Sequence, residues 1–272
     1  MRYVAMAAAA GMALIGWAGV RADDSNARTI QIAMGLAQRG LASLEKGNTA
    51  RAREDFEKSI VKYPGLPEAH IGLGHLAMRE RRFEDALEEY RRAQQCHREL
   101  SGLILELSTD RYAKSREELT RLRIIKGQLD MAAARSEGGG GDSGTMTGSG
   151  KSEGQIQRER TEVDRQIAEL ETMDAPNPTT AKEPPARLYF FEGNALFDLQ
   201  RVDDAITAWE EAARRDPKFA PVQNNLAVAY WRKGRLADAQ AALDRAVGLG
   251  FQVNPSFRDD LARSASSLAD GR

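Results

Sequence analysis

The chain has 272 residues, with 42% hydrophobic, 6% aromatic and 29% charged side chains, a balance that supports one or two folded domains rich in helix. Thirty-nine basic residues against 40 acidic ones leave a net charge of −1, which excludes the clustered positive field that captures nucleic acid. The single cysteine, Cys96, excludes an internal disulfide framework.

Residues 1–22 open with Arg2 and continue as an uncharged, Ala-rich apolar run, Tyr3–Val20. Val20-Arg21-Ala22 and Asp23-Asp24 follow. The pattern is that of a secretory signal peptide, and its removal would leave a net charge of −3. The alternative is an uncleaved inner-membrane anchor over residues 3–20, close to the lower length limit for a span. Either way the remainder is exported, and the bacterial periplasm suits a fold stabilised by packing alone.

Four segments then share a spacing of 34 residues, in two tandem pairs over residues 33–100 and 186–253. The first carries Gly40, Gly47, Ala52, Phe56 and Pro64, and the second Gly74, Ala86, Tyr90 and Ala93. The third carries Tyr189, Gly193, Ala205, Trp209, Ala212 and Pro217, and the fourth Ala227, Tyr230, Gly234, Ala239 and Ala246. Small residues at the eighth and twentieth positions let two helices approach, and a large residue at the twenty-fourth fills the space beside them. Gly47 and Gly234 make the turn, where positive φ is cheap for glycine; Pro64 and Pro217 end the second helix. Arg81 and Gln200 stand where the turn Gly is expected, and Arg98 and Phe251 where the terminal Pro is.

This spacing resembles the tetratricopeptide repeat, over about half the chain. The resemblance implies an all-α solenoid of helical hairpins whose first helices line a concave groove. It places Leu41, Leu44, Ile71, His75, Met78, Phe190, Asn194, Phe197, Asn224, Val228 and Trp231 on that groove. Asn194 and Asn225 fall where some members hold a peptide's terminal carboxylate, but Phe190 replaces the first lysine of that clamp. An apolar groove of this kind suits a helix or an extended apolar segment, and asparagine can bond its backbone.

Between the pairs, residues 101–135 are expected as a long helix and 152–173 as a second, coiled-coil-like one, joined by a Gly-rich flexible linker over 136–151. Residues 174–185, with four prolines, form an extended spacer. The two helices either pack as an antiparallel hairpin or remain a solvated linker. Because two repeats alone bury little surface, they are expected to cover the open end of the first pair. Asn254-Pro255 reads as an N-cap with Pro at the first helical position. Residues 254–269, striped by Phe257, Leu261, Ala265 and Leu268, then form a helix capping the solenoid.

No catalytic, cofactor or metal-binding set emerges. His70 and His75 are five residues apart on one helix, about 140° around its axis, and Cys96 and His97 point apart. No Gly-rich phosphate loop or nucleophile elbow is present. The chain therefore reads as an exported, non-enzymatic scaffold that binds a protein or peptide, assembling or stabilising a cell-envelope complex. The alternatives are self-association through residues 100–173, or a regulatory or chaperone subunit of an envelope enzyme; membrane contact is expected only through an uncleaved N-terminus.

Overall fold

The computed structural model describes residues 25–138, 151–175 and 183–269, without side chains at 25–27, 135–138 and 267–269. The leader, most of the Gly-rich segment, and Pro176 and Pro178 of the spacer lie outside the described residues. Ten helices and no strand occur among the described residues. They divide into two compact units, one combining Met1–Ser101 with Lys182–Arg272, the other Gly102–Ala181.

The first unit is a row of helical hairpins. Helices α1 (Ser25–Glu45) and α2 (Thr49–Lys62) form the first, and α3 (Pro67–Arg79) pairs with the opening turns of α4 (Phe83–Gly138) as the second. Helices α6 (Ala186–Asp198) and α7 (Val202–Arg215) form the third, α8 (Ala220–Arg232) and α9 (Leu236–Gly248) the fourth, and α10 (Pro255–Ala269) closes the row.

Within three hairpins an aromatic ring lies directly on a glycine backbone. A Cβ added at Gly40 would stand 2.6 Å from Phe56, one at Gly74 2.5 Å from Tyr90, and one at Gly193 2.4 Å from Trp209. In the fourth hairpin Ala227 replaces the glycine and the smaller Leu243, also buried, replaces the ring. Phe56 is gripped from the next repeat as well, since a Cβ at Gly72 would meet it at 2.2 Å.

The turns keep one geometry whatever residue occupies them. Gly47, Arg81, Gln200 and Gly234 have φ of 80°, 60°, 62° and 72°. In each turn the residue after it donates its N–H to a carbonyl five residues back, as Asn48 to Ser43 and Arg82 to Ala77 at 2.9 Å. These bonds satisfy the last carbonyls of the helix, and they hold Arg81 and Gln200 in a conformation that disfavours side chains.

Helix α4 departs from the expected boundary. It runs 56 residues without a break, so the second repeat and the long helix expected over 101–135 are continuous. Arg98 stands where Pro64 and Pro217 follow α2 and α7, and no left-handed glycine stops the helix there as Gly250, with φ of 82°, does after α9.

The third repeat packs on the open end of the first pair. Phe191 stacks on Tyr90 at 5.5 Å and meets His75 edge-on at 4.6 Å, and Leu188 packs with Ile71 and Ala93. Glu192 accepts from Arg91 and Gln94 at 2.8 and 2.7 Å. The apolar edge of α3 and α4 is thus covered by apolar side chains of α6. At the far end Leu261 of α10 is buried, and Asn254 caps the helix by accepting from the Ser256 N–H at 3.0 Å. Ala265, expected in the same stripe, is exposed.

In the second unit the later part of α4 pairs with α5 (Glu153–Glu171). Leu122, Leu129, Ile156 and Val163 form its buried seam, flanked by Ile125, Ile167 and Leu170. Arg123–Glu171, Lys126–Asp164 and Asp130–Arg160 ion pairs tie the helices. Partner numbers fall as those on α4 rise, so the pairing is antiparallel.

Candidate protein-binding face

The first helices of successive hairpins touch one another, and their outer edges make a continuous face. Arg79 of α3 donates to the Leu44 carbonyl of α1 at 2.8 Å, His75 of α3 meets Phe191 of α6, and Asn225 of α8 donates to Asn194 of α6 at 2.9 Å.

The residues placed on a groove by sequence separate into three groups. Leu41, Leu44, Ile71 and Phe190 are core, with relative exposures of 8%, 0%, 6% and 2%. Phe190 leans on Phe219, the residue preceding α8, at 5.0 Å, and its carbonyl accepts from the Trp209 indole at 3.2 Å. Buried against the Phe191 and Phe219 rings, Phe190 is not available to a ligand.

His75, Met78 and Trp231 are half-buried and already engaged. His75 lies between the Tyr90 and Phe191 rings, with Nδ1 2.8 Å from the Tyr90 hydroxyl. Burial lowers its pKa to about 4, so it is neutral near pH 7. Met78 packs against the core. Trp231 meets Phe257 of α10 edge-on at 5.8 Å and donates its indole N–H to Ser264 Oγ at 3.0 Å. The capping helix covers it.

Asn194, Phe197, Asn224, Asn225 and Val228 remain half-exposed and adjacent. Asn225 donates to Asn194 Oδ1, and Asn224 approaches Asn225 Oδ1 at 3.4 Å. This short ladder of amides leaves the Asn194 NH₂ and the Asn224 carbonyl free to bond an incoming backbone. Beside it the Arg232 guanidinium lies 4.3 Å above the Phe197 ring, a favourable cation–π contact.

Sequence reasoning missed Arg232, Asp198 and Arg81. Burial raises the Asp198 pKa, while the charges of Arg81 and Arg232 oppose the rise. A signal was present: the last residues of α1, α3, α6 and α8 are Glu45, Arg79, Asp198 and Arg232, alternating in sign.

Other charged groups are closed into pairs. His70 Nδ1 lies 2.7 Å from Glu89 and its Nε2 3.1 Å from the Pro64 carbonyl. Burial works against charging this ring. Hydrogen bonds to Cys96, Glu89 and Pro64 outweigh it and push the pKa up to about 9. On the outer side an open cleft among α4, α6 and α7 has its charges matched as Arg91–Glu192, Arg201–Asp204 and Arg214–Glu211. Among the described residues no three His, Cys, Asp or Glu side chains gather to hold a metal ion, and no helix is long and apolar enough to cross a membrane.

A tetratricopeptide-repeat family model matches residues 38–100 and 192–251. The chain is a tetratricopeptide-repeat protein. Its solved neighbours include a MamA mutant, at 17% identity over 90% of this chain and 92% of that one, with a TM-score of 0.40. Another is pilF of Pseudomonas aeruginosa, at 16% identity over 89% and 92%, with a TM-score of 0.34. TTC0263 of Thermus thermophilus, a thermophilic TPR protein, follows at 18% identity over 87% and 99%, with a TM-score of 0.32. No curated protein matches. As a tetratricopeptide-repeat chain it has the fold of a protein–protein interaction scaffold.

Proposed function

We propose that this is an exported scaffold that holds a segment of another protein against the face of α3, α6 and α8, in the assembly or stabilisation of a bacterial cell-envelope complex. The half-exposed Asn194–Asn225–Asn224 ladder carries the reading. Amides beside Phe197 and Val228 offer hydrogen bonds and apolar contact together, which is what a peptide backbone with apolar side chains requires. Export is supported by the basic start, Ala-rich apolar run and following acidic pair in residues 1–24. Affinity capture from envelope extract is the test, with the wild-type chain beside Asn225→Ala/Val228→Glu. A protein recovered by the wild type, lost by the variant and rebinding when purified supports the reading. Identical recovery with both moves the binding surface elsewhere.

Self-association through residues 100–173 is a second reading, favoured by one observation. Ile124 and Met131 are each 60% exposed and seven residues apart on α4. They lie on the side away from the Leu122–Leu129 seam, as a second copy would need. Sedimentation velocity decides: an oligomer dissociated by Ile124→Glu/Met131→Glu supports this reading, and a monomer at all concentrations removes it.

A further inference from the structure

We propose that the seam between the second and third repeats is an acid-sensitive latch: a neutral His75 ring joins the two repeat pairs, and its protonation releases the second pair from the first while the hairpins of each stay folded. The latch operates whichever partner the scaffold holds.

His75 sits where the two pairs meet. Its ring lies 5.7 Å from that of Tyr90, in its own repeat, and meets Phe191 of α6 edge-on at 4.6 Å. Phe191 also stacks on Tyr90, so the third repeat closes the apolar surroundings of the imidazole. There Nδ1 is 2.8 Å from the Tyr90 hydroxyl, while Nε2 is buried with no hydrogen-bond partner. A neutral ring tolerates this arrangement, because one nitrogen bonds the hydroxyl and the other can remain a bare acceptor. An imidazolium carries N–H at both positions. The proton on Nε2 would then be a charged donor, buried with nothing to accept it, which is costly. Withdrawing Phe191 lets water reach that atom.

The charged side chains around the seam are Glu68 and Arg79 of α3, Arg91 of α4, and Arg187 and Glu192 of α6. Glu192 accepts from Arg91 and Gln94, and Arg79 donates to the Leu44 carbonyl. None of them moves the His75 pKa, which burial alone lowers from 6.5 to about 4. Glu68, two turns before His75 on the same side of α3, acts the other way. Burial raises its pKa, with the Arg187 charge opposing the rise, so acid favours closure through this carboxyl.

The neighbouring junctions are built differently. The first repeat meets the second through Phe56 on Gly72 and through His70, whose Nε2 is 3.1 Å from the Pro64 carbonyl. The His70 pKa is pushed up to about 9, so this ring stays charged between pH 7 and 5. The third repeat meets the fourth through Phe190 on Phe219 and the Asn225–Asn194 bond, whose side chains do not titrate. Acid therefore acts at the seam between the pairs, and residues 102–185 keep the released pairs in one chain.

The test puts a thiol into the seam of the full-length chain by Ala93→Cys, at a position buried against Leu188. Its capture by an activated pyridyl disulfide is followed by peptide mass spectrometry. Dividing each rate by that of an unstructured peptide with the same thiol removes the pH dependence of the reagent. Cys96, buried with Sγ 3.7 Å from the Pro64 carbonyl, reports on opening away from the seam. In Glu68→Gln, which removes the opposing carboxyl, the normalised rate should rise roughly twentyfold from pH 7 to 5, for a ring titrating at 6.5 when released and about 4 when seated. The wild type should rise by less. Adding His75→Phe or His75→Gln, neither of which titrates, should abolish the rise. No rise in the wild type or in Glu68→Gln, or an equal rise with His75 replaced, would overturn the proposal. A matching rise at Cys96 would overturn it too, since the whole unit would then be unfolding.

Discussion

Gly193→Ala is the smallest change that tests the packing account, and its effect can be worked from the structure. The new Cβ would stand 2.4 Å from Trp209 Nε1 and 2.5 Å from Cδ1, against about 3.5 Å or more at an unstrained contact. The indole must retreat by roughly 1 Å, yet it is buried and anchored by its N–H on the Phe190 carbonyl at 3.2 Å. Overpacking of this kind costs about 1–3 kcal/mol, and weakening a buried hydrogen bond adds about 1 kcal/mol. Helix propensity returns about 1 kcal/mol, so the net loss is about 1–3 kcal/mol. For a structure of this size that lowers Tm by about 2–12 °C. Gly35→Ala, in α1 with nothing within 4 Å of the added Cβ, should instead stabilise by about 0.5–1 kcal/mol. Urea denaturation of both variants and wild type, followed by circular dichroism, gives the two signs. Combining Gly193→Ala with Trp209→Leu reproduces the Ala227–Leu243 pair of the fourth repeat, and the two changes should couple favourably by about 1 kcal/mol or more. Equal effects at Gly35 and Gly193 would refute the argument that ring-on-backbone contact sets the hairpin geometry.

Gln200→Gly should raise stability by about 1 kcal/mol, because glycine adopts φ of 62° without strain; thermal melting checks it. His70 and His75 predict opposite pH slopes. The His70 pKa is raised to about 9, so its contribution is complete below about 6.5 and is lost as pH rises through 9. The His75 pKa is lowered to about 4, so its neutral ring favours folding above about 6.5 and that benefit fades as pH falls through 4, by roughly 3 kcal/mol in all. Chemical denaturation of His70→Gln and His75→Phe across pH 4–9 should flatten the alkaline and acid limbs respectively.

The hairpins were legible because their signals are local: a small residue, a ring sixteen positions on, and a turn. The turns at Arg81 and Gln200 show that the helix-ending hydrogen bonds impose the geometry even without glycine. Direct packing of the third repeat on the second was not legible, since the insertion separates Tyr90 from Phe191 in sequence. The unbroken α4 follows from Arg98 at the proline position with no glycine nearby to turn the chain, both visible in the sequence. The groove reading erred where one side of a short helix serves both a face and a seam between repeats. Leu44, Ile71 and Phe190 sink into such seams because their side chains gain more there than at a wet surface. Trp231 is unavailable for a different reason, because α10 folds back over it. The charged residues ending α1, α3, α6 and α8 were overlooked because single charges at helix ends read as solvated caps.

Site-specific photo-crosslinking in cells tests the binding face most directly, with a photoreactive amino acid at Asn224 or Val228 on the face and at Thr207 or Gln240 on α7 and α9. The account predicts one crosslinked protein from Asn224 and Val228 and none from Thr207 or Gln240. Adducts from Thr207 or Gln240 without any from Asn224 and Val228 would contradict it and assign binding to the second helices of the hairpins.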